Sequence, residues 1–293
     1  MEVASVKVER FGPERLERRP LVERIRSDEI DRAEPPRIVE REPLTSVGLE
    51  QKVIVLPERR VVDPQEKTRR VGAVFSSVAR RYDVMNDLMS GGMHRLWKDR
   101  FVARVKPRPG EDILDMAGGT GDVAFRLARR GAQVTVADIN PDMLEVGKER
   151  AEKRGLSGLR WKVENAETLS FANASFDAYT IVFGIRNVTN IGAALSEAHR
   201  VLKRGGRFYC MEFSTSDWPG FSQLYDRWAD KIIPRIGKAV ADDEDSYRYL
   251  VESIRRFPRP EVFRTMITDA GFVRAAAEPM LGALVSIHSG WKI

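Results

Sequence analysis

The chain reads as an α/β domain built on a doubly wound, mainly parallel sheet with a C-terminal antiparallel hairpin. Three features of its 293 residues predict this architecture. From position 112 onward, short apolar runs alternate with amphipathic stretches, the pattern of repeated β-α units. A glycine-rich loop, Gly118-Gly119-Thr120-Gly121, leaves the first apolar run and enters the first amphipathic stretch. That is where doubly wound folds bind ligands. After the last helical pattern, two strand-like runs follow each other with no helix between them.

In chain order, residues 1–67 come first, and they hold seven of the 15 prolines among dense Arg and Glu. Proline at that frequency stops any long helix, so the segment reads as a disordered arm ahead of one domain over 68–293. Glu2, Glu9, Glu14, Glu17 and Glu23 argue against a mitochondrial transit peptide, and no apolar run follows Met1 to make a secretory signal. An over-extended reading frame, with a native start nearer Val62, is the other reading of the arm. Val71, Val74, Phe75, Val78 and Tyr82 fall at helical spacing, and a second apolar stretch runs from Leu96 to Val105. The β-α alternation then begins, with strands expected at 112–116, 133–137, 159–163 and 177–183. Helices are expected at 122–130, from Pro141, where proline suits a first turn, and at 191–202, stopping at Gly205-Gly206. A fifth strand is expected at 207–213. Residues 215–257 interrupt the rhythm as a helical insertion bearing Trp and Tyr, before a helix at 261–270 and hairpin strands at 272–277 and 284–288.

The composition narrows the function classes. A net charge of +6 from 49 basic and 43 acidic residues is nearly balanced, without the segregated stripe of a nucleic-acid binder. The single cysteine, Cys210, forbids an intramolecular disulfide and suits a reducing compartment. No apolar run approaches the roughly 20 residues of a membrane span. There is no Cys/His set to hold a metal.

The chemistry concentrates at the glycine loop. Small residues at Gly118 and Gly119 let a ligand approach the backbone, and Thr120 adds a hydroxyl. Asp138, ending the second strand, can accept hydrogen bonds from both hydroxyls of an adenosine ribose. Residues 119–124 also satisfy GxGxxA, a dinucleotide pattern that is weak alone. Two features favour S-adenosylmethionine instead. Asp115, just before the loop, would sit badly beside a pyrophosphate and well beside an ammonium. Asn165-Ala166-Glu167, after the third strand, offers a polar lip for an adenine edge.

Further blocks carry a family resemblance over residues 71–293. They are Tyr82-Asp83-Val84-Met85-Asn86-Asp87-Leu88-Met89-Ser90, His94-Arg95-Leu96-Trp97-Lys98, the loop from Ala117 to Asp122, and Asp138-Ile139-Asn140. Later come Phe183-Gly184-Ile185-Arg186-Asn187-Val188-Thr189, the stretch 246–254, and His288-Ser289-Gly290-Trp291-Lys292. With these the chain resembles the quinone C-methyltransferases, which methylate methoxy-polyprenyl-benzoquinol on the ubiquinone route or demethylmenaquinol on the menaquinone route. The resemblance implies a class I methyltransferase fold, S-adenosylmethionine as cofactor, and cofactor positions at Thr120, Asp138, Asn165 and Ala166, with Val182 a weaker match. The wording of 208–213 and 251–258 is closer to the ubiquinone branch. Arg204, Asp243, Leu281 and Ala283 depart from the family's usual residues.

C-methylation of a hydroquinol needs an electron-rich ring carbon, which losing a phenolic proton (pKa roughly 10) supplies. Arg186 is expected to stabilise a phenolate or hold a water, and Asn187 to orient a ring oxygen, with Asp122 and Tyr82 as secondary candidates. For Arg186 the plainer reading is a structural ion pair, and for Asp122 a charge complementing a helix dipole. His94 reads as structural or substrate-lining and His199 as packing, while His288 has no assigned role. A water-insoluble polyprenyl quinol implies peripheral contact with the bacterial inner membrane from the cytoplasm, or with the mitochondrial inner membrane from the matrix. Residues 218–236 are a candidate lipid-facing helix or a plain cover over the core. A homodimer and a quinone-biosynthesis complex are both open. The competing classes are a nicotinamide oxidoreductase, for which no Tyr-x-x-x-Lys or His-Asp set is evident, and a non-catalytic cofactor-binding scaffold.

Overall fold

A computed structural model describes residues 87, 90, 92–214, 252–280 and 284–293. The arm, the helical spacing at 71–82 and nearly all of the insertion at 215–257 lie outside the described residues. Helix α1 (Met93–Val105) precedes strand β1 (Asp112–Met116), then α2 (Asp122–Ala128), β2 (Gln133–Asp138), α3 (Pro141–Lys153), β3 (Arg160–Val163) and β4 (Phe176–Val182). A 3₁₀ turn (Ile185–Asn187) leads to α4 (Ile191–Val201), β5 (Leu202–Phe213), α5 (Pro260–Asp269), β6 (Val273–Met280) and β7 (Val285–Trp291). These seven strands form one sheet in the order β3-β2-β1-β4-β5-β7-β6. The first five pair in parallel, and β7 runs antiparallel to both β5 and β6. This is the doubly wound sheet and terminal hairpin expected from the sequence.

Local chemistry explains the boundaries. Asn140 caps α3, its side-chain oxygen accepting from the N–H groups of Asp142 (2.9 Å) and Met143 (3.3 Å), with Pro141 in the first turn. Asn190 caps α4 in the same way through Ala193 N–H, at 3.0 Å. One expected stop is corrected: Gly205-Gly206 does not end α4. The helix ends at Val201 because Leu202 turns to extended backbone (φ −73°, ψ 139°). The glycines instead lie in β5, where the register on β4 jumps from Phe176↔Leu202 to Ala178↔Arg207. Gly205, at φ +80°, takes the left-handed conformation this bulge requires and donates to Lys292 O at 2.7 Å.

Strand alternation gives the sheet two buried faces. Ile113, Ala178, Tyr209 and Met211 pack with α1 and α2 through Trp97, Phe101, Val123 and Leu127. Leu114, Met116, Tyr179, Ile181, Phe208 and Cys210 pack with α4 and α5 through Leu195, Ala198, Phe263 and Ile267. A residue between Leu114 and Met116 therefore points toward α1 and α2. That residue is Asp115.

Candidate active site

The carboxyl ends of β1, β2 and β4 converge on one open cavity. Nine of the expected site residues line it: Asp115, Gly118, Gly119, Thr120, Asp122, Asp138, Asn165, Ala166 and Asn187, and so does Val182. Between the polar groups lie Ile139, Met143, Ile181 and Phe183. The loop fits tightly under the cavity, since a Cβ added at Gly118 would come within 2.6 Å of Val136 Cγ1 and 3.0 Å of Asp115 O.

The two strand-end carboxylates differ in partners. Asp138 holds the loop through Oδ2, which accepts from Gly119 N–H at 3.0 Å, and holds the start of α3 through Oδ1, which accepts from Asn140 N–H at 2.9 Å. Burial nevertheless pushes its pKa up to about 6. Asp115 is 1% exposed. Its Oδ1 accepts from the Thr180 hydroxyl at 2.8 Å, while Oδ2 is buried with no hydrogen-bond partner. Burial pushes Asp115 up to about 7. A buried carboxylate oxygen without a donor costs free energy unless a ligand supplies one, and the ammonium of S-adenosylmethionine is a donor of the right charge. Asp138, with lone pairs beyond its backbone bonds, suits the ribose. The residues present therefore fit this cofactor.

Three other expected residues stand differently. Asp122, first residue of α2, lines the cavity but is tied to Lys98 Nζ (2.8 Å) and to Arg126. Despite its burial, those two cations, Lys98 foremost, hold its pKa below the carboxylate range. It is therefore a poor proton acceptor. Arg186, expected to work over the cofactor, is not among the described residues lining the cavity. Nη1 instead donates to Glu212 Oε1 at 2.9 Å and to Phe183 O, and Nε to Ser253 Oγ at 3.3 Å. The cause is Glu212, which shares the face of Phe208 and Cys210 on β5, is wholly buried, and offers the guanidinium a low-dielectric partner. Tyr82 lies outside the described residues. Of the histidines, His94 is buried with Nε2 2.8 Å from Asp87 Oδ1 and does not line the cavity. His199 packs edge-on against Phe272, with centroids 5.0 Å apart.

Two buried charged positions, each paired within the fold, went unread in the sequence although each left a signal. Lys98 lies three and four residues before Phe101 and Val102, so helical spacing puts a lysine on the core-facing side of α1. Glu212 follows Phe208 and Cys210 at the strand period, which puts a carboxylate on an interior face of a central strand.

A doubly wound sheet with an acidic, glycine-floored cavity at its strand ends defines an S-adenosylmethionine-dependent methyltransferase. Solved structures share the fold. A SAM-dependent methyltransferase from Aquifex aeolicus matches with TM-score 0.52 at 13% identity over 72% of this chain and 98% of that one. Another from Thermotoga maritima matches with TM-score 0.54 at 18% identity over 75% and 99%. The family model described as the ubiE/COQ5 methyltransferase family matches residues 63–292, and the chain belongs to that family. A relative from Zymomonas mobilis, named a ubiquinone/menaquinone biosynthesis C-methyltransferase UbiE, is 65% identical over 232 residues, 79% of this chain and 96% of the relative. A relative of the same name from Nitrobacter hamburgensis is 56% identical over 236 residues, 78% of this chain and 93% of the relative.

Proposed function

We propose that this C-methyltransferase of ubiquinone or menaquinone biosynthesis acts on a polyprenyl benzoquinol, methylating a ring carbon on the ubiquinone route. The observation that carries the reading is the make-up of the cavity. Carboxylates at two strand ends suit a cationic cofactor, and Ile139, Met143, Val182 and Phe183 give an apolar wall for a flat ring. Phe183 stacks on Phe213 at 4.7 Å between ring centroids, and both meet Trp97 edge-on, so that wall is backed by aromatic packing. The wording of 208–213 and 251–258 supports the benzoquinol over the naphthoquinol.

When bound, S-adenosylmethionine supplies an already activated methyl group, so the chain's main task is to hold a ring carbon in line with it. Asn187, at the cavity rim after β4, can orient a ring oxygen through its amide. Asp122 serves structurally, holding Lys98 and Arg126 at the start of α2. The polyprenyl tail requires contact with a bilayer, and among the described residues no helix is long and apolar enough to cross one.

The test is to incubate the full chain with methyl-labelled cofactor and a reduced, demethylated benzoquinol or naphthoquinol, reading label in each product by mass spectrometry. Faster labelling of the benzoquinol is expected. Labelling of the naphthoquinol alone would reverse the branch, and labelling of neither would end the quinol reading.

A further inference from the structure

The cavity has a second buried charge that the cofactor's ribose and ammonium do not use. Lys98 is 5% exposed, sits on the core-facing side of α1 and reaches the cavity wall. Among the described residues lining that cavity it is the one Lys, Arg or His. Its Nζ carries three N–H donors, and among the described residues its hydrogen-bond partner is Asp122 Oδ2 at 2.8 Å. Asp122 is not dependent on Lys98 alone, because Arg126 bonds it too.

Asp115 lies on the same sheet face, toward α1 and α2, close enough for the Lys98 charge to act on it. Its Oδ2 is the buried oxygen without a partner. A carboxyl and an amino side chain therefore line the same cavity from one face of the sheet, while Asp138 stands at the end of the neighbouring strand β2. A free α-amino acid end is itself a cation and an anion two bonds apart, joined through one carbon.

The geometry points to Lys98 as the carboxylate anchor of the cofactor: Asp115 takes the α-ammonium, Lys98 takes the α-carboxylate, and together they select a zwitterionic amino-acid end over a plain amine. The inference rests on S-adenosylmethionine being the cofactor and is independent of which quinol is methylated. It also explains the second cation on Asp122. With Arg126 already bonded to that carboxylate, Lys98 can turn part of its donor set to a ligand without leaving Asp122 bare.

The experiment is calorimetric titration of the full chain with three ligands: S-adenosylhomocysteine, its decarboxylated amine analogue, and 5′-methylthioadenosine, which lacks the amino-acid end. Wild type should prefer S-adenosylhomocysteine over the amine by about ten- to hundredfold, the loss of one charge-assisted contact. In Lys98→Met that preference should collapse to within about twofold, with affinity for methylthioadenosine nearly kept. Lys98→Arg should retain most of it. Melting temperatures on the same preparations establish that each variant is folded. Should Lys98→Met not fold, the wild-type preference and Lys98→Arg still decide. Absence of preference in the wild type, or equal weakening of all three ligands in Lys98→Met, would overturn the role of Lys98 while leaving the cofactor standing. Failure of all three ligands to bind would overturn both.

Discussion

The unpartnered oxygen of Asp115 makes cofactor affinity depend on pH in a direction that can be worked out in advance. Burial raises the Asp115 pKa to about 7, so in the free protein the group is mostly protonated below neutrality. A cofactor that offers an ammonium binds the ionised form, so affinity must rise with pH. The apparent dissociation constant scales inversely with the ionised fraction. For a pKa of about 7, lowering the pH from about 7.5 to about 6 should therefore weaken binding about eightfold. Asp138, raised to about 6, adds about a further twofold over that window. On the alkaline side the ligand's own α-amino group, its ammonium held by the neighbouring carboxylate, loses its proton only above the peptide range of about 7.7–8.0, so affinity rises through neutrality and declines again at higher pH. Titrating S-adenosylhomocysteine by calorimetry in two buffers of different ionisation enthalpy gives affinity and proton release together. At about pH 6, roughly one proton should leave on binding through Asp115 alone. Asp115→Asn should bind about ten- to hundredfold more weakly at pH 7.5 and keep only the shallow dependence due to Asp138. Methylthioadenosine, without an ammonium, should lack the Asp115 limb in the wild type. An affinity flat from pH 7.5 to 6, or an Asp115→Asn profile matching wild type, would refute the reasoning.

Three other outcomes follow from the packing. Arg186→Ala leaves Glu212 buried without its cation, so thermal unfolding should show a loss of about 3–5 kcal/mol, while single-turnover methylation by the folded fraction stays near normal. Gly184→Ala would put a Cβ 2.4 Å from the Ala117 Cβ, so it should cost about 1–3 kcal/mol and weaken cofactor binding. Ala117→Gly should rescue both in the double variant, because Ala117 also sits at φ +53°, a conformation glycine adopts without strain. His288 is buried and its pKa is depressed to about 4, so the folded chain holds it neutral while the unfolded chain protonates near 6.5. Stability should fall by about 3 kcal/mol as pH drops from 6.5 to 4, and acid denaturation of His288→Leu should lack that limb.

The fold was legible because its signals are local. The alternation of apolar runs with helical patterns located all seven strands, and Pro141 and the glycine loop marked helix starts. What failed was also local: Gly205-Gly206 has the composition of a helix stop, but the tertiary pairing of Lys292 with Gly205 and Gly206 draws both into β5. At the cavity, residues tied to backbone turns at strand ends, such as Gly118 and Asp138, could be placed from their spacing alone. Arg186 could not. Its position after β4 was read well, but the direction of a long side chain depends on which buried partner it meets, and Glu212 lies 26 residues further along. Lys98 was hidden for the same reason, since its partner Asp122 is 24 residues away.

The strand order has a consequence for vectorial synthesis. Strand β6 leaves the ribosome before β7, yet its pairing in the sheet is to β7, which must first seat itself against β5. The parallel half from β3 to β5 can assemble while the chain is still growing, but β6 has no edge to join until residue 291 has emerged and Trp291 can meet Arg207 and Val273. Until then β5 carries an open, apolar edge through Phe208, Cys210 and Met211, the kind of edge that recruits other chains. Truncations inside β7 should therefore fail as insoluble protein rather than as a weakened enzyme.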